Sequence, residues 1–331
     1  MTQALSFREP SNILDHIGNT PMVRLNRIGA SLRNPLLGKC EFLNPGGSGK
    51  DRIAKAIVED AERAGSLTPG MTIVEATAGN TGIGLAIMAA VKGYRLVCVL
   101  PEKMSVDKRL ALKAVGADVI VTANAPLHDP ANFRNVAARL ARENGWFATD
   151  QFCHPANPRI HETTTGPEIL AQCDGRVGAF VCGVGTGGTI TGVGRYLKSH
   201  YPTAMIILAD PIGSRLAHRV ESRLPDNDAA YKVEGIGGSE PPAVLDFSVI
   251  DFAERISDEE SFAMALRLMR EEGLLVGGSS GTAMAAAIRV SERHDFEGPI
   301  VVLLADSWDR YYSQPWMQNY SATRPAPGHK M

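Results

Sequence analysis

From residue 70 onward the chain repeats one pattern, a short apolar run followed by a turn and an amphipathic stretch, and this repetition restricts the fold more than any other feature. Strand-like runs that alternate with stretches whose apolar residues recur every three or four positions are typical of βαβ units, which build parallel sheets. The predicted strands are 72–75, 95–100, 118–121, 179–182, 205–209, 274–276 and 300–304. The predicted helices are 82–92, 106–115, 130–143, 189–200 and 258–272. The chain is therefore predicted to have an α/β fold.

Size and composition exclude several classes of protein. With 331 residues, of which 44% are apolar, the chain is long enough for about two globular domains. Its formal net charge of -2 gives no basic surface that would favour nucleic acid or an anionic membrane. No apolar run reaches the ~18 residues of a membrane span, and the N-terminus lacks the pattern of a secretory signal. We therefore expect a cytoplasmic protein with no nucleic-acid or membrane partner.

The five cysteines argue against a disulfide framework and against a zinc site. They are odd in number and scattered, without any C-x-x-C spacing. We therefore expect no metal site, and we expect most of the cysteines to be small buried apolar side chains.

Four glycine-rich segments mark the places where chemistry is to be sought. In open parallel sheets, ligands bind beyond the carboxyl ends of the strands. The segments 77–82, 183–189 and 277–282 each follow a predicted strand, and the segment 44–52 opens a helix-like run.

The segment 183–189 has two interpretations. It matches G-x-G-x-x-G, and Asp210 lies near the spacing of the acidic residue that holds a ribose hydroxyl, so a dinucleotide site is one of them. Glycines at a helix N-terminus bring backbone amides close to any phosphate. Thr186 and Thr189 add hydroxyl donors, which fits a terminal phosphate at least as well. We expect Asp210 to cap a strand end.

Lys50 stands between glycines and a predicted helix, where it is open to a ligand. It is not the lysine of an NTP-binding P-loop, because Asn44 and Asp51 occupy positions where that motif needs Gly and Ser or Thr. A lysine able to form a Schiff base, a glycine-threonine phosphate cup and a polar residue for a ring nitrogen are the parts of a pyridoxal phosphate site.

These residues, with Gly18-Asn19-Thr20-Pro21 at one end and Trp316 at the other, resemble the cystathionine β-synthase and cysteine synthase family of pyridoxal phosphate enzymes over nearly the whole chain. The resemblance implies a two-domain, tryptophan-synthase-β-like (fold type II) architecture with twisted, mostly parallel sheets flanked by helices. It implies a smaller, mobile domain at 44–154 and a larger domain at 22–43 and 155–331. We expect 321–331 to be a disordered tail.

The same resemblance assigns roles to individual residues. Lys50 would form the Schiff base and act as the catalytic residue, Asn80 would face the ring hydroxyl and Ser279 would meet the pyridine nitrogen. The phosphate cup would be Gly185, Thr186, Gly187, Gly188 and Thr189. The substrate carboxylate would be bound by the carboxylate loop and a glutamine, namely Thr77, Ala78, Gly79, Thr81 and Gln151.

The implied chemistry is β-replacement on serine or an O-activated serine by a thiol or sulfide, giving cystathionine or cysteine. A neutral hydroxyl such as that of Ser279 leaves the ring a weaker electron sink, which favours β-elimination over transamination. Segments such as 101–105 and 233–237 favour the cystathionine β-synthase side, whereas 155–158 and 161–168 are shared with cysteine synthases. The family also implies a homodimer.

Three departures from the family pattern leave the second substrate open. Ala78 replaces a serine in the carboxylate loop, and Gly49 replaces a larger apolar residue before the lysine. The segment 238–241 lacks the aromatic residue that usually follows Gly235-Ile236-Gly237. Glu240 of that segment either faces solvent or selects the charge of the nucleophile.

Two rival functions use fewer of these residues. A nicotinamide-dependent oxidoreductase would use 183–188 with Asp210 but would leave Lys50 and Ser279 without a role. A catalytically silent, cofactor-binding scaffold protein would be compatible with the departures at Ala78 and 238–241. His154 and His161 are expected to be packing or surface residues. Four aromatic residues line either the site or a subunit contact: Trp308, Tyr311, Tyr312 and Trp316.

Overall fold

The computed structural model describes residues 12–77, 79–102, 104, 106–126, 128–221 and 229–318. Its strands form two sheets, which confirms the predicted α/β class. The strands are β1 (Met22–Arg24), β2 (Leu36–Cys40), β3 (Thr72–Ala76), β4 (Arg95–Pro101), β5 (Asp118–Thr122), β6 (Phe147–Ala148), β7 (Ala179–Gly183), β8 (Met205–Pro211), β9 (Phe252–Ile256) and β10 (Ile300–Leu304).

Helices cover both sheets and join most of the strands. They are α1 (Lys50–Arg63), α2 (Asn80–Lys92), α3 (Val106–Ala114), α4 (Phe133–Asn144), α5 (Ala156–Ile160), α6 (Gly166–Gln172), α7 (Gly188–His200), α8 (Leu216–Glu221), α9 (Asp258–Glu271), α10 (Gly278–Arg293) and α11 (Pro315–Gln318). A π-helical turn (His161–Thr165) lies between α5 and α6. Within the described ranges, every helix is too short or too polar to cross a bilayer.

The larger sheet has the strand order β1-β2-β10-β7-β8-β9 and the smaller has β5-β4-β3-β6. All pairs are parallel except β1 with β2. In the larger sheet, side chains alternate between two cores, because Val302 packs toward α9 and α10 whereas Val301 packs toward α6 and α7. In the smaller sheet, Ile73 faces α1 and α2, and Val74 faces α4.

Most predicted elements are confirmed, but two predictions are wrong. The predicted strand 274–276 is absent, and Val276 makes only an isolated bridge to Ser307. That run leads directly into the start of α10, and no strand of the described chain pairs with it. The helix predicted at 130–143 starts later, at Phe133, because the Asn132 side chain caps it by accepting a hydrogen bond from the amide of Arg134. The predicted tail 321–331 lies outside the described residues.

The cysteines lie where the composition indicated. Four are buried among apolar side chains, and Cys153 is exposed; all five are free thiols.

A buried ionic network fixes the first turn of α1. The Arg52 guanidinium, only 2% exposed, donates two hydrogen bonds of 2.8 Å to Glu41 and two of 2.7 Å to Glu168. Thr20 donates to Glu41 at 2.7 Å, and Lys39 donates to Glu168 at 2.6 Å. Such charges are tolerated in the interior only when they are paired and hydrogen-bonded. The network therefore ties α1 to β2 and α6.

The same network determines the protonation of Glu41. Burial by itself would raise the pKa of Glu41, but the charge and hydrogen bonds of Arg52, together with the bond from Thr20, outweigh burial and lower it to about 2. Glu41 therefore remains a carboxylate wherever the protein is folded at moderate pH.

We expect Arg52→Met to destabilise the fold by about 3–5 kcal/mol, because it leaves two buried carboxylates without their partner. Chemical denaturation measures the loss. Arg63→Met on the same helix, where the side chain is 71% exposed, serves as the matched control and should change stability little. Equal effects of the two substitutions would contradict the proposed contribution of the network to the free energy of unfolding.

The gap in stability between the native protein and R52M should depend on pH. A carboxyl whose pKa is lowered on folding stabilises the fold above its unfolded value and loses that contribution as the pH falls through its folded value. The gap should therefore narrow as the pH falls from about 4.5 toward 2. Unfolding curves at a series of pH values test this, and a constant gap would contradict it.

Candidate active site

A cleft of about 1680 Å³ lies where the carboxyl ends of strands from both sheets meet. Loops after β3, β7 and β10 contribute its walls, together with the first residues of α1, α2 and α10. Eleven of the predicted site residues line it: Lys50, Thr77, Gly79, Asn80, Thr81, Gln151, Gly185, Thr186, Gly187, Thr189 and Ser279. Gly188 of the cup is buried and does not line the cleft, and Ala78 lies outside the described residues.

Lys50 is the first residue of α1, and its loop is bound to the larger sheet. The amide of Gly49 donates to the carbonyl of Ala305 at 3.1 Å, just after β10. Among the described residues, none accepts a hydrogen bond from Lys50 Nζ. Burial lowers the pKa of Lys50, and the negative charge of Asp306 offsets this only in part. Lys50 therefore loses its proton, and becomes a neutral amine, more readily than a surface lysine does.

Asp306 organises the centre of the cleft, and sequence analysis did not single it out as a site residue. Its Oδ2 accepts hydrogen bonds from Asn80 Nδ2 at 2.8 Å and from the Tyr311 hydroxyl at 2.6 Å. Its Oδ1 is buried and has no partner among the described residues. A carboxylate in the last segment after β10 thus orients Asn80, which is far away in sequence.

The phosphate cup (185–189) joins β7 to α7. Gly187 has φ 87°, a left-handed conformation that glycine adopts at little cost. In the described chain, no group accepts a hydrogen bond from the backbone amides of 185–189. A side chain at Gly188 would overlap Asn157, so glycine is required there. The cup therefore presents free amides at a helix N-terminus, as an anion site needs.

Two buried polar residues hold the threonines of the cup. Asn157 donates to Thr186 Oγ1 at 3.0 Å and to the carbonyl of Gln151 at 2.8 Å. His161 Nε2 lies 3.2 Å from Thr189 Oγ1. Burial lowers the pKa of His161 to about 3, helped by the charge of Arg52, so its ring is neutral. The structure thus places His161 next to the cup, a location that sequence analysis did not predict.

Ser279 lies in the first turn of α10, only 6% exposed, and lines the cleft. The segment 277–282 is therefore the beginning of a helix that follows an irregular stretch. Ser279 thus shares the cleft with the other predicted site residues, but the element before it is not the predicted strand.

A chain of hydrogen bonds supports the carboxylate loop. Thr81 donates to Gln151 Oε1 at 2.6 Å, and Gln151 Nε2 donates to Glu75 at 3.1 Å. Glu75 also accepts a hydrogen bond from Thr149. Burial raises the pKa of Glu75 to about 7, although both hydrogen bonds oppose the rise. Glu75 is a buried residue of β3, two positions before Thr77 of the carboxylate loop. That position is the one sequence feature that could have indicated its contact with Gln151.

The remaining candidates lie at or away from the cleft. Asp210 accepts a hydrogen bond from the amide of Ala217 at 2.9 Å, so it caps the start of α8 and not a strand end. Glu240 is exposed at the rim of the cleft. Tyr311 and Tyr312 also line the cleft.

The two tryptophans pack against other aromatic rings. Trp308 contacts Tyr312 edge-on, and Trp316 stacks on Phe262 with a centroid distance of 5.0 Å.

The residues present fit pyridoxal phosphate. Free amides and threonine hydroxyls could hold the phosphate, and a buried hydroxyl on Ser279 could meet the pyridine nitrogen. Asn80, held by Asp306, could face the ring hydroxyl. Lys50, with no hydrogen-bond partner for Nζ in the described chain, is free to bond to the aldehyde carbon. One cleft thus contains every part that the cofactor requires.

Comparisons with known proteins agree with this geometry. Residues 13–306 match the family described as pyridoxal-phosphate dependent enzyme. The chain is 49% identical over 314 residues to cystathionine beta-synthase of Rattus norvegicus, covering 92% of this chain and 56% of that protein. It is 44% identical over 328 residues to that of Apis mellifera, covering 97% and 65%. The chain thus spans little more than half to about two thirds of these relatives.

A solved structure also resembles the whole chain. The crystal structure of O-ureido-L-serine synthase has a TM-score of 0.85 and 36% sequence identity, and the match covers 96% of each chain.

We expect Glu75→Gln to flatten the pH dependence of stability. Between the ordinary pKa of 4.5 and the folded value of about 7, the folded protein keeps a proton that the unfolded chain has released. Stability then falls as the pH rises, by at most about 1.4 kcal/mol per pH unit. Glutamine keeps the shape and cannot titrate, so E75Q should be more stable than the native protein above pH 7.

Denaturation midpoints from pH 4 to 8 measure this effect. Glu143→Gln, on the exposed face of α4, is the control and should leave the slope unchanged. If stability falls with pH as steeply in E75Q as in the native protein, another group causes the pH dependence.

Proposed function

The chain belongs to the pyridoxal-phosphate-dependent enzyme family, and on that basis we propose that it catalyses β-replacement on serine or an O-activated serine, with a thiol or sulfide as the second substrate. The product would be cystathionine or cysteine. The observation that carries this proposal is the single cleft that joins Lys50, the phosphate cup and Ser279 to the residues of the carboxylate loop.

When bound through Lys50, pyridoxal phosphate supplies an electron sink that acidifies the α-carbon of an amino acid and allows a β-substituent to leave. Lys50 would remove the α-proton, because burial lowers its pKa and its Nζ is free once a substrate amine has displaced it. The charge of Asp306 would then favour the protonated amine, so that the proton is held at Nζ until product forms. Ser279 would offer a neutral hydroxyl, which limits the electron sink to elimination chemistry.

Substrate binding would use the carboxylate loop. The Thr77 hydroxyl and the backbone amides at the start of α2 would bind the α-carboxylate, since these amides lie at the positive end of the helix. Gln151 would orient Thr81 through their 2.6 Å hydrogen bond. Glu75 and Thr149 would keep the Gln151 amide in the required orientation.

The second substrate has one specific alternative. One structural relative is named O-ureido-L-serine synthase, and the product in that name is neither cysteine nor cystathionine. The same β-replacement with a non-standard donor or nucleophile is therefore the second candidate, favoured here by the segment 238–241, which places Glu240 at the rim of the cleft. If the protein is instead a cofactor-binding scaffold, it will show the absorption band of the bound cofactor but form no product.

We also propose that the domain at 44–154 closes over the substrate. The contacts that cross from this domain to the larger one beside the cleft include the pair of Lys108, on α3, with Glu234 and the hydrogen bond from Asn80 to Asp306. Closure would exclude water from the site. The family resemblance further supports a cytoplasmic location and a homodimer, and light scattering after size exclusion would test the homodimer.

We expect Lys50→Ala to abolish both turnover and the visible absorption band of a lysine-bound cofactor, because no other amine replaces Nζ. The measurement is the absorption spectrum and product formation with serine, O-acetylserine and O-phosphoserine, each with sulfide and with homocysteine. Lys113→Ala, at an exposed position, is the control and should keep native activity.

The two readouts separate the alternatives. A band without turnover in the native protein would favour the scaffold. Turnover that survives in K50A at the native rate would contradict the assignment of Lys50.

A further inference from the structure

Arg134 is a cleft residue that the proposed reaction does not use. It lies in the first turn of α4, is half-buried, and lines the cleft with Phe133 and Phe152. Its guanidinium carbon lies 4.0 Å from the centre of the Phe152 ring and 5.9 Å from that of Phe133. Within the described ranges, its guanidinium makes no hydrogen bond or ion pair.

The other cations of the cleft are occupied or already assigned. Lys108 pairs with Glu234. Arg310 donates to the carbonyls of Gly46 and Gly47. Lys50 is the catalytic residue of the proposed function. Among the described cations that line the cleft, Arg134 is therefore the one whose donors are left for a ligand.

Burial makes an unpaired guanidinium costly. Burial lowers the pKa of Arg134, and the charges of Glu75 and Asp150 offset this only in part. Stacking on Phe152 favours the cation through the ring face but satisfies none of its N–H donors. A carboxylate or phosphate is the partner that matches a planar guanidinium with two parallel hydrogen bonds.

The location indicates which group Arg134 would meet. Phe152, on which it stacks, directly follows Gln151 of the substrate site. The carbonyl of Phe152 accepts a hydrogen bond from the amide of Val244 at 3.3 Å, which connects it to the chain after the segment 238–241. Through Phe152, Arg134 is thus connected both to Gln151, which is proposed to bind the α-carboxylate, and to the chain that follows the segment 238–241.

We infer that Arg134 forms a second anion subsite, which binds a carboxylate or phosphate group of a substrate other than the α-carboxylate held by the carboxylate loop. The inference rests on the proposed function. The anion is either the phosphate of an O-phosphorylated donor or the carboxylate of the incoming thiol, and both groups suit the same guanidinium.

Kinetics with matched substrates separate these two sources. The donors are serine, O-acetylserine and O-phosphoserine; the thiols are mercaptoethanol, which is neutral, and mercaptopropionate, which carries a carboxylate. We expect Arg134→Met to lower kcat/KM by at least about tenfold for the anionic partner only, as loss of a charge-assisted hydrogen bond predicts. Arg134→Lys should recover part of the loss.

The control is Arg139→Met on the same helix, because Arg139 is exposed and 52% of its side chain is accessible. Loss confined to O-phosphoserine assigns the donor phosphate. Loss confined to mercaptopropionate, whatever the donor, assigns the thiol carboxylate. An equal loss for all pairs, or none, overturns the inference.

Calorimetry tests the subsite independently of turnover. The holoenzyme is titrated with inorganic phosphate and with propionate. Binding that is at least about tenfold weaker in R134M and unchanged in R139M supports the subsite even if no donor is turned over, a result that would end the proposed function but not the anion site. If neither probe binds the native protein, or if R134M binds both as tightly, the subsite does not exist.

Discussion

The buried pairing of Arg52 with Glu41 and Glu168 is the constraint on which the site depends. Arg52 lies two residues after Lys50, so the network holds the helix that carries the amine proposed to bind the cofactor, while Nζ itself has no hydrogen-bond partner among the described residues. Glu41 follows β2 and Glu168 belongs to α6, so both anchors belong to the larger sheet and its helices. A lysine that forms and breaks a covalent bond in each turnover needs a rigid helix to hold its backbone and a side-chain amine without other partners. Burying these charges fixes the position of the helix but costs desolvation free energy. The bidentate hydrogen bonds of Arg52 offset that cost.

A second constraint is the direction of the chain. Parallel strands in both sheets send their carboxyl ends into the same cleft, and the helices that follow begin there. The first turns of α2, α7 and α10 all reach it, at Asn80, Thr189 and Ser279. Each brings the positive end of a helix dipole and unpaired amides, so the architecture favours a ligand with several negative groups. A phosphorylated cofactor and an amino-acid carboxylate meet that requirement together.

Within this frame, side chains adjust the charge at each point of the cleft. Asp306 holds Asn80 and opposes the loss of the proton from Lys50, whereas burial favours that loss. Glu75 titrates near neutrality because it is buried beside uncharged partners, and it still orients Gln151. Arg134 keeps its charge on the face of Phe152. The departure from the family at 238–241 and Arg134 both line this cleft.

The sequence by itself determined the α/β class, most strands and helices, and the glycine-rich segments that line the cleft, because these depend on local periodicity and on conformations that only glycine adopts. It also identified Lys50, the phosphate cup and Ser279 as neighbours, through the rule that ligands collect at the carboxyl ends of strands and through the family resemblance. Only the tertiary structure decided that 274–276 is not a strand, since a strand exists only where a partner strand lies beside it. Only the tertiary structure assigned Asp306 to Asn80, Glu75 to Gln151, and His161 to Thr189. These pairs are separated by 28 to 226 residues in the chain, and no local pattern records which distant polar group will be buried against which.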